Sequence, residues 1–190
     1  MENRNEVIIS GRLVSLAQDY TCTKGVIEVE RNSGIIDKVP FVTKQKVSIH
    51  ADWVRIKGKL QTRNERGKDG KNHKKHYVFA DRVILNKEKE NRNEVTIHGT
   101  LVHKDVLRET PKGKVIMDII VAVNEGIGLS SYYPSCIVWG SVAENTECLP
   151  IGTDLLIEGR FQSREYMKET EHGVQVRMAY EISVKNAEVM

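Results

Sequence analysis

No stretch of this chain approaches the roughly 20 consecutive apolar residues that a membrane-spanning helix needs. Its opening, Met1-Glu2-Asn3-Arg4-Asn5-Glu6, holds no apolar signal core. The reading is therefore of a cytoplasmic protein with no membrane partner. Cysteine is scarce: Cys22, Cys136 and Cys148 are odd in number, widely spaced and without a CxxC pair. That excludes a disulfide framework and offers no structural zinc site, so reduced thiols and no metal are expected. Catalytic signatures are missing as well. The six histidines form no HxxxH or HExxH pattern, and neither a GxSxG elbow nor a Walker loop occurs. Neither an enzymatic activity nor a cofactor is expected. Net charge is also small: 29 Lys and Arg against 26 Asp and Glu leave +3. Such a total says little about partners, so the placement of the charges has to decide.

What is present is an internal repeat. Glu2-Asn3-Arg4-Asn5-Glu6-Val7 returns as Glu90-Asn91-Arg92-Asn93-Glu94-Val95, and the match runs on through Gly11 and Gly99 to Val14 and Val102. A second echo follows in the same order: Gly58-Lys59-Leu60-Gln61-Thr62-Arg63 against Gly159-Arg160-Phe161-Gln162-Ser163-Arg164. Two matched segments in one order imply two copies of one domain. With 190 residues, each copy has a size at which small domains fold. The division expected is residues 1–86, a polar connector over 87–92, and residues 93–190. Gly11 to Gly58 spans 47 positions and Gly99 to Gly159 spans 60, so the first copy is trimmed in its middle.

Each copy reads as all-β. Val95, Ile97, Gly99 and Leu101 alternate with Thr96, His98 and Thr100, and Leu155, Ile157, Gly159 and Phe161 alternate with Glu158, Arg160, Gln162 and Arg164. A glycine in mid-strand marks a bulge or sharp bend, as barrel closure requires. Further strands are expected over 114–123 and 134–140, a short helix over 141–149, and a hairpin over 165–182 turning near Glu171-His172-Gly173. Periodicity alone leaves any small β-barrel open. The helix between strands three and four selects the OB-fold, a five-stranded Greek-key barrel. In the first copy strands are expected over 7–14, 25–30, 38–43, 53–62 and 76–85, with something shorter than a helix at 44–52. The fold expected is thus two tandem OB-folds.

An outer barrel wall that binds a nucleic acid needs cations for phosphates and flat rings for bases. The second copy offers Arg160 and Arg164 on strand four, with Tyr166 and Lys168 beyond them. Tyr133 and Trp139 stand six residues apart, on one side of a regular strand. The first copy offers Arg55, Lys57 and Lys59 opposite Val54, Ile56 and Leu60, with Arg63 following. Residues 64–76 then read as an exposed loop, in which Arg66, Lys68, Lys71, Lys74 and Lys75 face only two acids. Read blandly, this is a solvated edge whose lysines block aggregation; read functionally, it is a basic finger tracking a phosphate backbone. Glu65 stands where the second copy has Tyr166.

These residues resemble the bacterial single-stranded DNA-binding protein (SSB) family. The resemblance is carried by Asn93-Glu94-Val95 through Gly99-Thr100-Leu101, residues 118–124, Cys136-Ile137-Val138-Trp139-Gly140, residues 155–166 and Tyr180-Glu181-Ile182-Ser183-Val184. Residues 1–86 look like a diverged copy, similar to the tandem or primosomal relatives. The resemblance implies base stacking on Tyr133, Trp139 and Tyr166, phosphate contacts from the basic strand-four residues, and a homodimer presenting four barrels. It implies a bacterial, nucleoid-associated protein carried on a chromosome, plasmid or phage. The family's acidic, phenylalanine-tipped tail is not matched by Ala187-Glu188-Val189-Met190, so recruitment of enzymes through such a tail is not expected. The function expected is sequence-tolerant binding and protection of single-stranded DNA in replication, recombination or repair. Two alternatives stand beside it: a replisome or primosome accessory module with weak or single-domain nucleic-acid binding, and RNA binding, which OB barrels also perform.

Overall fold

Alternating apolar residues give the chain long strands, and their inward faces close on themselves. The computed structural model describes residues 4–47, 52–67, 70–126, 130–170 and 173–190, with the side chains of 168 and 170 excepted. In the first copy the strands are β1 (Asn5–Gln18), β2 (Thr23–Glu30), β3 (Ile36–Thr43), β4 (Trp53–Arg66) and β5 (Asn72–Leu85). β1 pairs with both β2 and β4, β4 with β5, β5 with β3 and β3 with β2, which completes a ring. Only the β3–β5 pairing is parallel. Val7, Ile9, Val54, Ile56, Leu60 and Val78 fill the interior.

The second copy repeats the ring. Its strands are β6 (Arg92–Lys104), β8 (Val115–Asn124), β10 (Ser135–Trp139), β11 (Asp154–Thr170) and β12 (Gly173–Val189), joined by β6–β8, β8–β10, β10–β12, β12–β11 and β11–β6 pairings. The helix α1 (Gly140–Glu147) lies between strands three and four of this ring, as the sequence predicts. Two short strands were not anticipated: β7 (Arg108–Glu109) and β9 (Ser131–Tyr132), both paired with β8. The fold is all-β with OB-type closed barrels.

Gly58 and Gly159 explain the matched mid-strand glycines. Each sits at a register shift of its strand, and a Cβ there would meet Phe79 O at 2.0 Å or Ser183 O at 2.3 Å. Only a residue without a side chain lets the strands bend this closely.

The repeated Asn-Glu-Val segments have a structural role. β1 and β6 pair antiparallel, so that Val7 faces Val95, while Asn5 faces Ile97 and Ile9 faces Asn93. The same pair read from either end is a local two-fold, and it joins both rings into one sheet. The Asn5 amide donates to Leu60 O and accepts from Leu60 N, both at 2.9 Å. Asn93 does the same to Phe161 O and N at 2.8 Å. Each asparagine thus mimics one peptide unit of a sheet ladder.

Three local expectations need correction. Residues 64–76 are largely paired strand: Arg63 faces Lys75, Asn64 faces Lys74, Glu65 faces His73 and Arg66 faces Asn72. The ladder satisfies backbone groups that a loop would leave to water. Gly67 N–H donates to Lys71 O at 2.8 Å across the turn. Second, Tyr133 and Pro134 interrupt the strand between β9 and β10, so the six-residue spacing to Trp139 does not place both rings on one regular strand. Third, β1, β4 and β5 run several residues beyond their expected ends. Of the segment expected to replace the helix, Lys44–Val47 and Asp52 are not helical, and 48–51 lie outside the described residues. The turn expected near Glu171-His172 and the expected contact Lys68 also lie outside them.

Candidate nucleic-acid interface

Trp139 ends β10, where the ring opens toward α1. It is half-buried, and its indole N–H donates to Ser183 Oγ at 3.1 Å. It lines an open groove with Lys114, Ser141, Arg160 and Lys185. The bulge at Gly159 precedes Arg160, which is half-buried and donates from one terminal nitrogen to Gln162 Oε1 at 3.2 Å. Its Nε is buried with no hydrogen-bond partner. Burial, and then the nearby Arg31, pulls the Arg160 pKa below the usual guanidinium value; the group remains a cation.

Further along β11, Arg164 lies over the Tyr166 ring, 5.9 Å from its centroid, and its Nε is 3.4 Å from Glu181 Oε1. Tyr166 is exposed and lines a second groove, between the two long hairpins, with Lys74, Lys75 and Arg177. Lys168 follows on β11; its side chain is not among those described. Tyr133 is 45% exposed, and its backbone N–H donates to Thr62 Oγ1 of the first barrel at 3.0 Å. A companion bond runs from Gln61 Nε2 to the Tyr132 hydroxyl at 2.9 Å.

The first barrel's basic residues divide in two. Arg55, Lys57 and Lys59 sit among carboxylates. Arg55 pairs with Glu90 and donates to Ser10 Oγ at 2.9 Å, Lys57 lies 2.6 Å from Glu6, and Lys59 lies 3.3 Å from Glu125. Arg63 pairs with Glu65. Arg66, Lys71, Lys74 and Lys75 are exposed on the β4–β5 hairpin, and Lys74 and Lys75 come together with Tyr166. Trp139 with Arg160 and Tyr166 with Lys74 and Lys75 therefore line two separate grooves, Arg55, Lys57, Lys59 and Arg63 are matched by acids, and Tyr133, Arg164, Arg66 and Lys71 line neither groove.

Strand register adds a comparison that the sequence did not supply. Phe41 pairs with Val78 as Cys136 pairs with Ile182, and Val78 and Ile182 face the matched residues Leu60 and Phe161. Counting three residues along the sequence either way from that pair sets Lys38 against Tyr133, which lies just outside β10, and Lys44, just past the end of β3, against Trp139. With Glu65 at the position that matches Tyr166 in the repeat, the first barrel carries no ring at any of the three positions. Lys38, Lys114, Lys185 and Arg177 do not stand out in the sequence because none belongs to a basic run: Lys38 is the single cation of β3, Lys114 precedes β8, and Arg177 and Lys185 lie eight residues apart on β12. Only the fold brings them beside the aromatics.

His76 couples the barrels. It is buried on β5, and its Nε2 accepts the Ser135 N–H at 3.2 Å. Burial, then the Lys74 charge, pushes its pKa down to about 4. An unfolded histidine titrates near 6.5. The folded state therefore loses stability as pH falls from 6.5 toward 4, by about 3 kcal/mol in total. Urea unfolding at pH 7, 5.5 and 4.5 should show this loss, and His76→Gln should flatten it.

Among the described residues, no cluster of His, Cys, Asp and Glu could hold a metal ion, and no helix is long and apolar enough to cross a membrane.

Closed five-stranded barrels whose outer grooves combine rings with cations define a protein of the oligonucleotide-binding barrel class. The family model described as "Single-strand binding protein family" matches residues 92–190, and the chain belongs to that family. Two solved structures share the fold over its whole length. The wild-type single-stranded DNA binding protein from Thermus aquaticus is 19% identical with a TM-score of 0.79, covering 100% of this chain and 94% of that one. A deletion mutant of that protein is 20% identical with a TM-score of 0.75, covering 99% and 95%. No curated protein matches the sequence.

Proposed function

We propose that the chain binds single-stranded DNA without sequence preference and without catalysis, and shields it during replication, recombination or repair. The observation that carries this is the groove at Trp139, where a ring pinned at one edge by Ser183 stands beside the half-buried cation Arg160. A ring offers a stacking face that tolerates any base. The cation holds the phosphate, and an open groove admits a strand whose bases are unpaired. Tyr166 with Lys74 and Lys75 extends the surface toward the hairpins. Tyr133, Arg164, Lys168, Arg66, Lys68 and Lys71 are assigned to the same strand path. Arg55, Lys57, Lys59 and Arg63 contribute weakly, because phosphate would have to displace their carboxylates. The units 1–86 and 93–190, joined by the connector 87–92, act together, and two chains would present four barrels.

A labelled dT oligomer bound to the full chain tests this. An unlabelled single strand should compete, and a duplex of equal length should compete at least about a hundred-fold less well. Affinity should fall with salt by about 0.7 log units per log unit for each phosphate contacted. Equal competition by duplex would defeat the reading, and equal competition by RNA would extend it to both kinds of single strand.

A second reading is favoured for the first barrel's own outer face by one observation. Lys38, Lys44 and Glu65 replace the rings there, which fits charge contact or docking of an accessory protein better than stacking.

A further inference from the structure

The seam between the barrels forms an open cavity of about 420 Å3 with walls from both. The first barrel supplies Ile35, Ile36 and Lys38, and the second supplies Trp139, Arg160 and Met178. The β2–β3 hairpin is fixed in place over β11. Lys38 N–H donates to Ser163 Oγ at 2.8 Å, Ser163 N–H donates to Asp37 Oδ1 at 2.9 Å, and Arg31 clamps Asp37 through bonds of 2.7 and 2.5 Å. This anchoring uses backbone and buried groups and leaves the outward side chains unspent. Ile35 and Ile36 are 52% and 49% exposed. Lys38 is exposed and pairs with no acid among the described residues. Arg160 brings its unpartnered Nε. Lys57, Lys59 and Arg55, by contrast, are all matched by carboxylates.

Apolar walls beside an excess of cations, with Lys38, Arg160 and Arg164 against the one carboxylate Glu165, suit a ligand with one flat apolar face and one negative charge. A nucleotide has both. A peptide segment with acidic side chains alone would satisfy the cations but would leave the isoleucines uncovered. We propose that this cavity takes one nucleotide of the bound single strand, its base against Ile36 and Trp139 and its phosphate between Lys38 and Arg160. The inference rests on the single-strand reading above, and adds that the first barrel's hairpin completes the second barrel's site.

The test uses the full chain and a dT oligomer across a salt series. Lys38→Ala should lower the slope of log affinity against log salt by about 0.7, the share of one phosphate. Ile36→Ser should weaken binding about five-fold at fixed salt and leave the slope alone, because it removes apolar contact and no charge. Both variants keep the Asp37 anchor, and unchanged urea midpoints would show that the fold is intact. If Ile36→Ser shifts its midpoint, Ile36→Ala takes its place. A parental slope in Lys38→Ala overturns the inference while the single-strand reading stands. If the parent chain fails to bind dT, the reading itself falls.

Discussion

Replacing Asp37 with alanine should lower the unfolding free energy by about 3 kcal/mol, near the low end for breaking a buried ion pair. Asp37 is fully buried where the first barrel's hairpin meets the second barrel. It accepts two bonds from Arg31 and one from the Ser163 backbone. Alanine strands both donors. The Arg31 side chain keeps 19% of its surface in water, which moderates the loss, but the Ser163 N–H has no such relief. Asp37→Asn keeps an acceptor for Ser163 and should cost less than alanine. Urea unfolding followed by circular dichroism reads both. Equal midpoints for parent and Asp37→Ala would show that the seam adds nothing to stability.

The larger functional effect is expected from Trp139→Ala combined with Tyr166→Ala. If each ring stacks one base, the pair costs about 2–6 kcal/mol in dT binding, which is about 30-fold at the lower bound. Trp139→Phe should retain most of the affinity, since it keeps a ring and loses only the bond to Ser183. Lys44→Ala, at the equivalent place in the first barrel, should act mainly through salt dependence. Anisotropy of a labelled oligomer separates these cases. Parental affinity in the double variant would remove both rings from the site.

Much of the fold was legible in the sequence because its strongest signals are local. Alternation through Val54, Ile56 and Leu60, and through Leu155, Ile157 and Phe161, names the inward faces. The paired glycines name the bends, and the helix after Trp139 names the topology. The hairpin at 64–76 was misread because composition reports exposure, and an exposed ladder between Arg63 and Lys75 has the same composition as a loop. The site was less legible, for a different reason. Pairing of Lys57 with Glu6 and of Lys59 with Glu125 joins residues far apart in the chain, so alternation presented these lysines as free cations. Lys38 comes to line one cavity with Trp139 where bonds of Asp37 and Lys38 to Ser163 hold one barrel's hairpin on the other. The repeated asparagines marked the copies, yet their work, bonding to Leu60 and Phe161, emerges only from the folded sheet.

The account turns on a single strand passing across the second barrel's ring. The chain has two tryptophans, so Trp53→Phe leaves Trp139 as the sole indole. Titrating that variant with a dT oligomer should quench its emission to saturation, and added salt should restore it. Emission that stays constant while anisotropy reports the oligomer fully bound would contradict the account.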